Sequence, residues 1–236
     1  MQGQATSTLL LRHGATALSG ERRFSGREDV PLTKEGIKQA GQVARSLASG
    51  RGADVVITSP LLRARRTAEA VAAATGAPLV VDDDLVEADF GAWQGMTFAE
   101  AGERWPDEMK AWLASPDARP PDGESFAMVA MRVLAAQDRL LEEHQHKRAV
   151  VVSHVTPIKT LICRALLAPP EAMFRMNLDV ASVTRIDCFD NGSALLRSFN
   201  DTAHLRSRRR YRPGGAAASP SGPLPARRRV PHPPAS

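Results

Sequence analysis

Apolar positions along this chain alternate between two patterns. Short continuous runs predict buried strands, and stretches with apolar residues three and four apart predict amphipathic helices. Thr8-Leu9-Leu10-Leu11 is a run of the first kind, ending abruptly in Arg12-His13-Gly14. From Thr33 to about Ser49 the pattern is helical, with Ile37, Ala40, Val43, Ala44 and Leu47 on one face and Thr33 as N-cap. Residues 54–58 predict a second strand. Ser59-Pro60 then opens a helix to about Thr75, with Pro60 suited to its first turn. A third strand is expected over 78–81, a long helix from Gly123 to about His146, and the most hydrophobic strand over 148–153. A helix from Thr156 to Leu167 follows, then strands at about 182–189 and 194–199 around the hairpin signal Asp190-Asn191-Gly192. The stretch 84–121 is less regular and carries all three tryptophans.

Strands alternating with helices predict a three-layer α/β/α sandwich on a mostly parallel sheet, with the final hairpin adding antiparallel edge strands. Residues 1–205 form the expected domain. Beyond Leu205 the chain turns to Arg, Pro, Gly, Ala and Ser. Such a composition buries too little surface to offset its ordering entropy, so a disordered tail is expected over 206–236.

Composition changes this picture in two places. The net charge of +5 would suit a polyanion binder, but eight arginines and no acid lie in 206–236, leaving 23 basic against 26 acidic residues before it. The body is mildly acidic. The tail has one aromatic residue, Tyr211, for stacking on bases, so no dedicated nucleic-acid site is indicated. No apolar run approaches the roughly 20 residues of a membrane span, and the N-terminus lacks a signal peptide's apolar core. A cytoplasmic chain is expected, with Cys163 and Cys188 as reduced core thiols.

In an open α/β sheet, functional groups gather beyond the carboxyl ends of strands. Two polar clusters fall there, Arg12-His13-Gly14 and Ser153-His154. Arg63, on the first turns of the helix after the second strand, is placed to point back over the sheet end beside a helix N-terminus that favours an anion. Arg65 and Arg66 lie on other faces and read as solvated. His144-Gln145-His146 faces two ways in a charged stretch and gives no metal-site spacing.

These residues resemble the histidine phosphatase superfamily, which includes cofactor-dependent phosphoglycerate mutases and many small phosphatases. Arg12-His13-Gly14-Ala15-Thr16 is similar to its signature. Phe24-Ser25-Gly26 with Pro31-Leu32-Thr33, Gly36 and Gln39-Ala40 resembles its second block, and Ser59-Pro60-Leu61-Leu62-Arg63-Ala64 with Thr67-Ala68 its third. Leu85, Glu87, Phe90-Gly91, Trp93 and Gly95 look like its acid-bearing loop. Gly123-Glu124-Ser125, Ser153-His154 and Asn200-Asp201-Thr202 with His204-Leu205 complete the order over residues 8–205. Where the family usually has Gly after the second histidine, Val155 stands here.

The resemblance implies His13 as nucleophile, forming a phosphohistidine, and Glu87 as general acid and then base. It implies Arg12, Arg63 and His154 as donors to the phosphate, with Ser25 and Gly26 lending a hydroxyl and an amide. His154 is expected to be protonated beside a phosphate, and a backbone carbonyl near Gly14 to fix the His13 tautomer. Asp82, Asp83, Asp84 and Asp89 are rivals to Glu87 that read as a solvated acidic loop. No metal or cofactor is expected, since the arginines supply the charge a divalent ion would.

Only 66 residues separate Glu87 from His154, and the Phe-Gly-x-Trp-x-Gly of the acid loop resembles the phosphatases rather than the mutases. Within them the chain is most similar to the α-ribazole phosphatase type and to the acid phosphatase half of actinobacterial ribonuclease H–acid phosphatase proteins. The function expected is hydrolysis of a small phosphomonoester, with α-ribazole phosphate a candidate. A phosphoglycerate mutase and a non-catalytic phosphate-binding regulator stay open. Trp93, Trp105, Trp112, Phe98 and Met96 read equally as an apolar lid over the substrate or as satellite packing.

Overall fold

The computed structural model describes residues 4–206, so all of the expected tail except Arg206 lies outside it. The sheet has six strands in the order β3-β2-β4-β1-β5-β6: β1 Thr6–Arg12, β2 Val55–Thr58, β3 Leu79–Val81, β4 Arg148–Ser153, β5 Val183–Cys188 and β6 Ala194–Asp201. The β1–β4, β2–β4 and β2–β3 pairings are parallel, whereas β5 and β6 join antiparallel, as the hairpin signal predicts. Seven α-helices accompany it among the described residues: α1 Ala17–Gly20, α2 Lys34–Ser49, α3 Leu62–Thr75, α4 Phe98–Arg104, α5 Pro106–Ala114, α6 Phe126–Glu143 and α7 Val155–Leu166.

Because side chains alternate across a strand, the central strands feed two separate cores. Leu9, Leu11, Val56, Val150 and Val152 pack with Val43, Ala44 and Leu47 of α2 and Ala64, Ala68 and Val71 of α3. Leu10, Val55, Ile57, Ala149 and Val151 pack with Val129, Val133 and Leu140 of α6 and Ile158, Leu161 and Ile162 of α7. The fold is therefore the three-layer α/β/α sandwich expected. Each fully buried Leu or Val contributes on the order of 1.5–3 kcal/mol. The central strands thus anchor the sheet, while edge strand β3 leaves Leu79, Val80 and Val81 all exposed. Cys163 and Cys188 are free and buried. No helix among the described residues is long and apolar enough to cross a membrane.

Three expectations need correction. Ile37 is 62% exposed, and Gly36 takes its place on the buried face of α2. A Cβ at Gly36 would stand 2.1 Å from Ala15 O, so only glycine lets the helix pack onto the loop after β1. Helix α3 begins at Leu62, leaving Pro60 ahead of it: Leu61 is extended and lends no side-chain cap. Asp29 supplies the cap from elsewhere, its Oδ1 accepting from Leu62 N–H at 2.6 Å. The less regular stretch 84–121 contains two helices, α4 with a capping box from Thr97 and Glu100, and α5 opened by Pro106.

Candidate active site

Register alone brings the two histidines together. Arg12 pairs with Ser153 across the parallel β1–β4 ladder, so His13 and His154 leave adjacent strand ends side by side. Their ring centroids are 5.1 Å apart. β2 lies on the other side of β4, and the helix after it, α3, carries Arg63 to the same sheet end.

His13 is 3% exposed, with Nδ1 2.8 Å from Gly14 O. A carbonyl can only accept, so Nδ1 carries the proton and Nε2 is the free lone pair. Gly14 N–H in turn donates to Thr67 Oγ1 at 3.2 Å, fixing the turn. His154 Nε2 lies 2.8 Å from Ser59 Oγ. Burial, then the neighbouring cations Arg12 and Arg63, hold His13 well below the ordinary histidine range. Burial, then Arg63, His13 and Arg12, do the same to His154. With no phosphate bound, burial and the neighbouring cations disfavour the charged form of His154; the expectation of a protonated ring concerns the phosphate-bound site.

The arginines are held by backbone oxygens. Arg12 Nη1 donates to Leu178 O at 2.6 Å, and Arg63 donates through Nη1 to Glu28 O and through Nη2 to Gly26 O, each at 2.7 Å. Arg12 Nε, Arg63 Nε, Ser25 Oγ and His154 Nδ1 are buried with no partner among the described residues, which leaves their hydrogen-bonding capacity unused at this end of the sheet. Gly26 enters differently from Ser25: its carbonyl orients Arg63, and a Cβ there would meet Gln94 Oε1 at 2.1 Å.

Glu87 is 5% exposed and reaches the N-terminus of α7. Oε2 accepts from Val155 N–H at 3.0 Å, and Oε1 from Ala88 N–H at 2.8 Å and Thr156 N–H at 3.2 Å. Val155 is the first helical residue of α7, a position that takes a side chain without strain, so its amide serves despite the missing glycine. The rival carboxylates point elsewhere: Asp82 and Asp84 pair with Arg139 at 2.9 and 2.7 Å, Asp89 caps Gly91, and Asp83 is exposed.

Arg12, His13, Ser25, Arg63 and Glu87 line one cleft of about 290 Å³, walled further out by aromatic rings. Residues 8–202 match the family profile of the histidine phosphatase superfamily (branch 1). The chain belongs to that superfamily. It is 45% identical over 204 residues to a bifunctional protein of Mycobacterium tuberculosis, an overlap covering 86% of this chain and 56% of the relative. The chain therefore spans about half the length of the curated relatives it matches. Two solved structures align with it closely. A phosphoserine phosphatase mutant of Entamoeba histolytica in complex with phosphoserine has a TM-score of 0.77 at 30% identity, covering 85% of this chain and 100% of that one. A putative α-ribazole-5'-P phosphatase of Escherichia coli has 0.74 at 32%, covering 84% and 97%.

Of the five residues read as lid or packing, Phe98 and Trp112 line the cleft, whereas Trp93 is fully buried beneath it and Met96 and Trp105 pack against the core. Sequence reasoning missed two cations around this cleft. Arg132 of α6 donates through Nη1 to Asp84 O and Val86 O, each at 2.7 Å, and through Nη2 to Glu87 O at 3.1 Å and Glu124 Oε2 at 3.0 Å. It clamps the loop that bears Glu87. Lys159 of α7 lines the cleft itself. Each is a charge inside an otherwise apolar helical stretch, a signal visible in the sequence but without an address until α6 and α7 are packed.

Proposed function

We propose that this chain hydrolyses small phosphomonoesters through a phosphohistidine at His13, without a metal ion. The observation that carries the reading is the His13 ring: one nitrogen tied to Gly14 O, the other free, and the ring kept neutral by burial and two arginines. A neutral imidazole between cations is the state a nucleophile needs toward a dianion.

In the first half-reaction His13 Nε2 bonds to phosphorus in line as the ester P–O bond breaks, and Glu87 delivers a proton to the leaving oxygen. In the second, the Glu87 carboxylate takes a proton from water, whose oxygen bonds to phosphorus as the P–N bond breaks. Inorganic phosphate leaves and Glu87 is again protonated. Arg12, Arg63, Ser25 and His154 stabilise charge on the equatorial oxygens, and a bound dianion favours the protonated form of His154 that the protein alone disfavours. Gly26 positions Arg63. α-Ribazole phosphate belongs among the substrates to try, supported by the likeness to the Escherichia coli structure.

Incubation with p-nitrophenyl phosphate in EDTA, beside His13→Ala, tests the reading. Activity that survives chelation and disappears in the variant is the expected result. A folded wild-type protein inert there but isomerising phosphoglycerate would make it a mutase, and inertness in both assays would leave a phosphate binder.

A further inference from the structure

Beyond the phosphate-binding end, the cleft changes character. Its outer wall is made of aromatic rings, among them Phe90, Trp112 and Phe126, 8%, 5% and 6% exposed, which stack behind the surface at centroid separations from 4.7 to 6.5 Å. Phe98 and Phe174, 48% and 43% exposed, continue that wall into solvent at the mouth. A fixed wall of rings with two of them left in water favours a flat apolar body as the group esterified to phosphate.

The cations of the cleft differ in how they are occupied. Arg12 and Arg63 are held by backbone carbonyls and turned to the phosphate end. Arg23 is neutralised by Glu21 at 2.8 Å and Glu100 at 2.7 Å, and also donates to Gly95 O. Lys159 has neither an ion pair nor a hydrogen bond among the described residues, although it is partly buried in the cleft wall. It stands one turn along α7 from the Val155 amide that grips Glu87, on the same helix face, and lines the same cleft as Glu87, the acid assigned to the leaving group. An ammonium partly withdrawn from water without a partner is costly to keep, and burial depresses its proton affinity despite the nearby Glu87 charge. A counter-charge on the ligand removes that cost.

We infer that Lys159 is a specificity-determining residue that holds a carboxylate carried by the leaving group of the substrate, a flat apolar alcohol seated on the Phe98 and Phe174 side of the cleft. The inference rests on the phosphatase reading and names the substrate class for that site. Lys159 takes no part in bond making. Its effect falls on the choice between substrates, as expected for a charge-assisted hydrogen bond to the leaving group.

The test compares kcat/KM for 3-carboxyphenyl phosphate and its neutral isostere 3-carbamoylphenyl phosphate in wild type, Lys159→Met and Lys159→Arg. Wild type is expected to prefer the carboxylate on the order of tenfold, one charge-assisted contact. The preference falls to about one in Lys159→Met and returns in Lys159→Arg. Phe174→Ala is expected to raise KM for the carboxyphenyl ester more than for phosphoglycolate, which has the carboxylate but no ring. An equal loss on both aryl esters in Lys159→Met, or no preference in wild type, overturns the assignment of Lys159, and an equal KM change in Phe174→Ala overturns the ring. If folded wild type cleaves neither aryl ester nor p-nitrophenyl phosphate, the phosphatase reading itself has failed and the inference falls with it.

Discussion

Truncating Arg132 to methionine should unfasten the acid loop without touching the phosphate pocket. The guanidinium is 14% exposed and its partner Glu124 12%, so this is a nearly buried pair. It also serves three backbone oxygens, Asp84 O, Val86 O and Glu87 O, that lose their donor with it. Removing a buried cation of this kind costs about 3–5 kcal/mol. Glu124 keeps Arg27 at 2.9 Å and the Asp89 N–H at 3.0 Å, so most of the cost falls on the three carbonyls left without a donor. For a domain of this size each kcal/mol lowers Tm by about 2–4 °C, which gives a fall of about 6–20 °C. Glu87 loses its backbone anchor at the same time, and a displacement near 1 Å costs on the order of a hundredfold in kcat. Thermal melting and steady-state kinetics on phenyl phosphate, whose leaving group needs a proton, read both effects. Adding Glu124→Gln to Arg132→Met leaves those carbonyls without a donor and should recover little of either Tm or kcat, since Glu124 still has Arg27 as a partner. If Arg132→Met melts within about 2 °C of wild type, less than 1 kcal/mol, and keeps kcat, the clamp is a bystander.

Stability should also depend on pH in one direction. His13 and His154 are pushed below their ordinary value, so the unfolded chain takes up protons near pH 6.5 before the folded one does. The stability they allow is full above about pH 6.5 and is lost as pH falls toward the folded values, with a slope up to about 2.7 kcal/mol per pH unit for two protons. His204, also lowered by burial, acts in the same direction. A Tm that stays flat or rises from pH 8 to pH 5 contradicts this. Gly36→Ala should cost about 1–3 kcal/mol and much of the activity, because its Cβ meets Ala15 O at 2.1 Å and Ala15 N at 2.9 Å. Gly41→Ala on the same helix meets only the end of Arg45 at 3.3 Å and should be neutral or stabilising. Melting curves in which the two variants behave alike would refute the packing account.

The sheet and its helices were legible because each carries a period of its own. Strand β4 begins and ends at the predicted residues, since Ala149-Val150-Val151-Val152 between Arg148 and Ser153 leaves little choice. Misjudgements arose where the deciding partner was distant in sequence. Ile37 belongs to the apolar stripe by spacing, but the close approach of Gly36 to Ala15 rotates the helix away from it. Pro60 suits a first turn, yet the cap comes from Asp29, which no local pattern announces. In the site, Arg12, His13, Arg63, Glu87 and His154 stand in blocks whose order is readable along the chain. Arg132 and Lys159 act only through neighbours that tertiary packing supplies. Local pattern likewise says nothing of the electrostatics: the burial and the two arginines that disfavour a charged His154 in the ligand-free site come from packing.

The covalent step is open to direct observation. In Glu87→Gln, which lacks the base for the second half-reaction, rapid mixing with p-nitrophenyl phosphate followed by alkaline quench and mass spectrometry should trap one phosphoryl group per chain. It should lie on His13, be stable to base and labile to acid, and be missing from a Glu87→Gln, His13→Ala double variant. Release of nitrophenol with no phosphorylated protein, or with phosphate on another residue, contradicts the account.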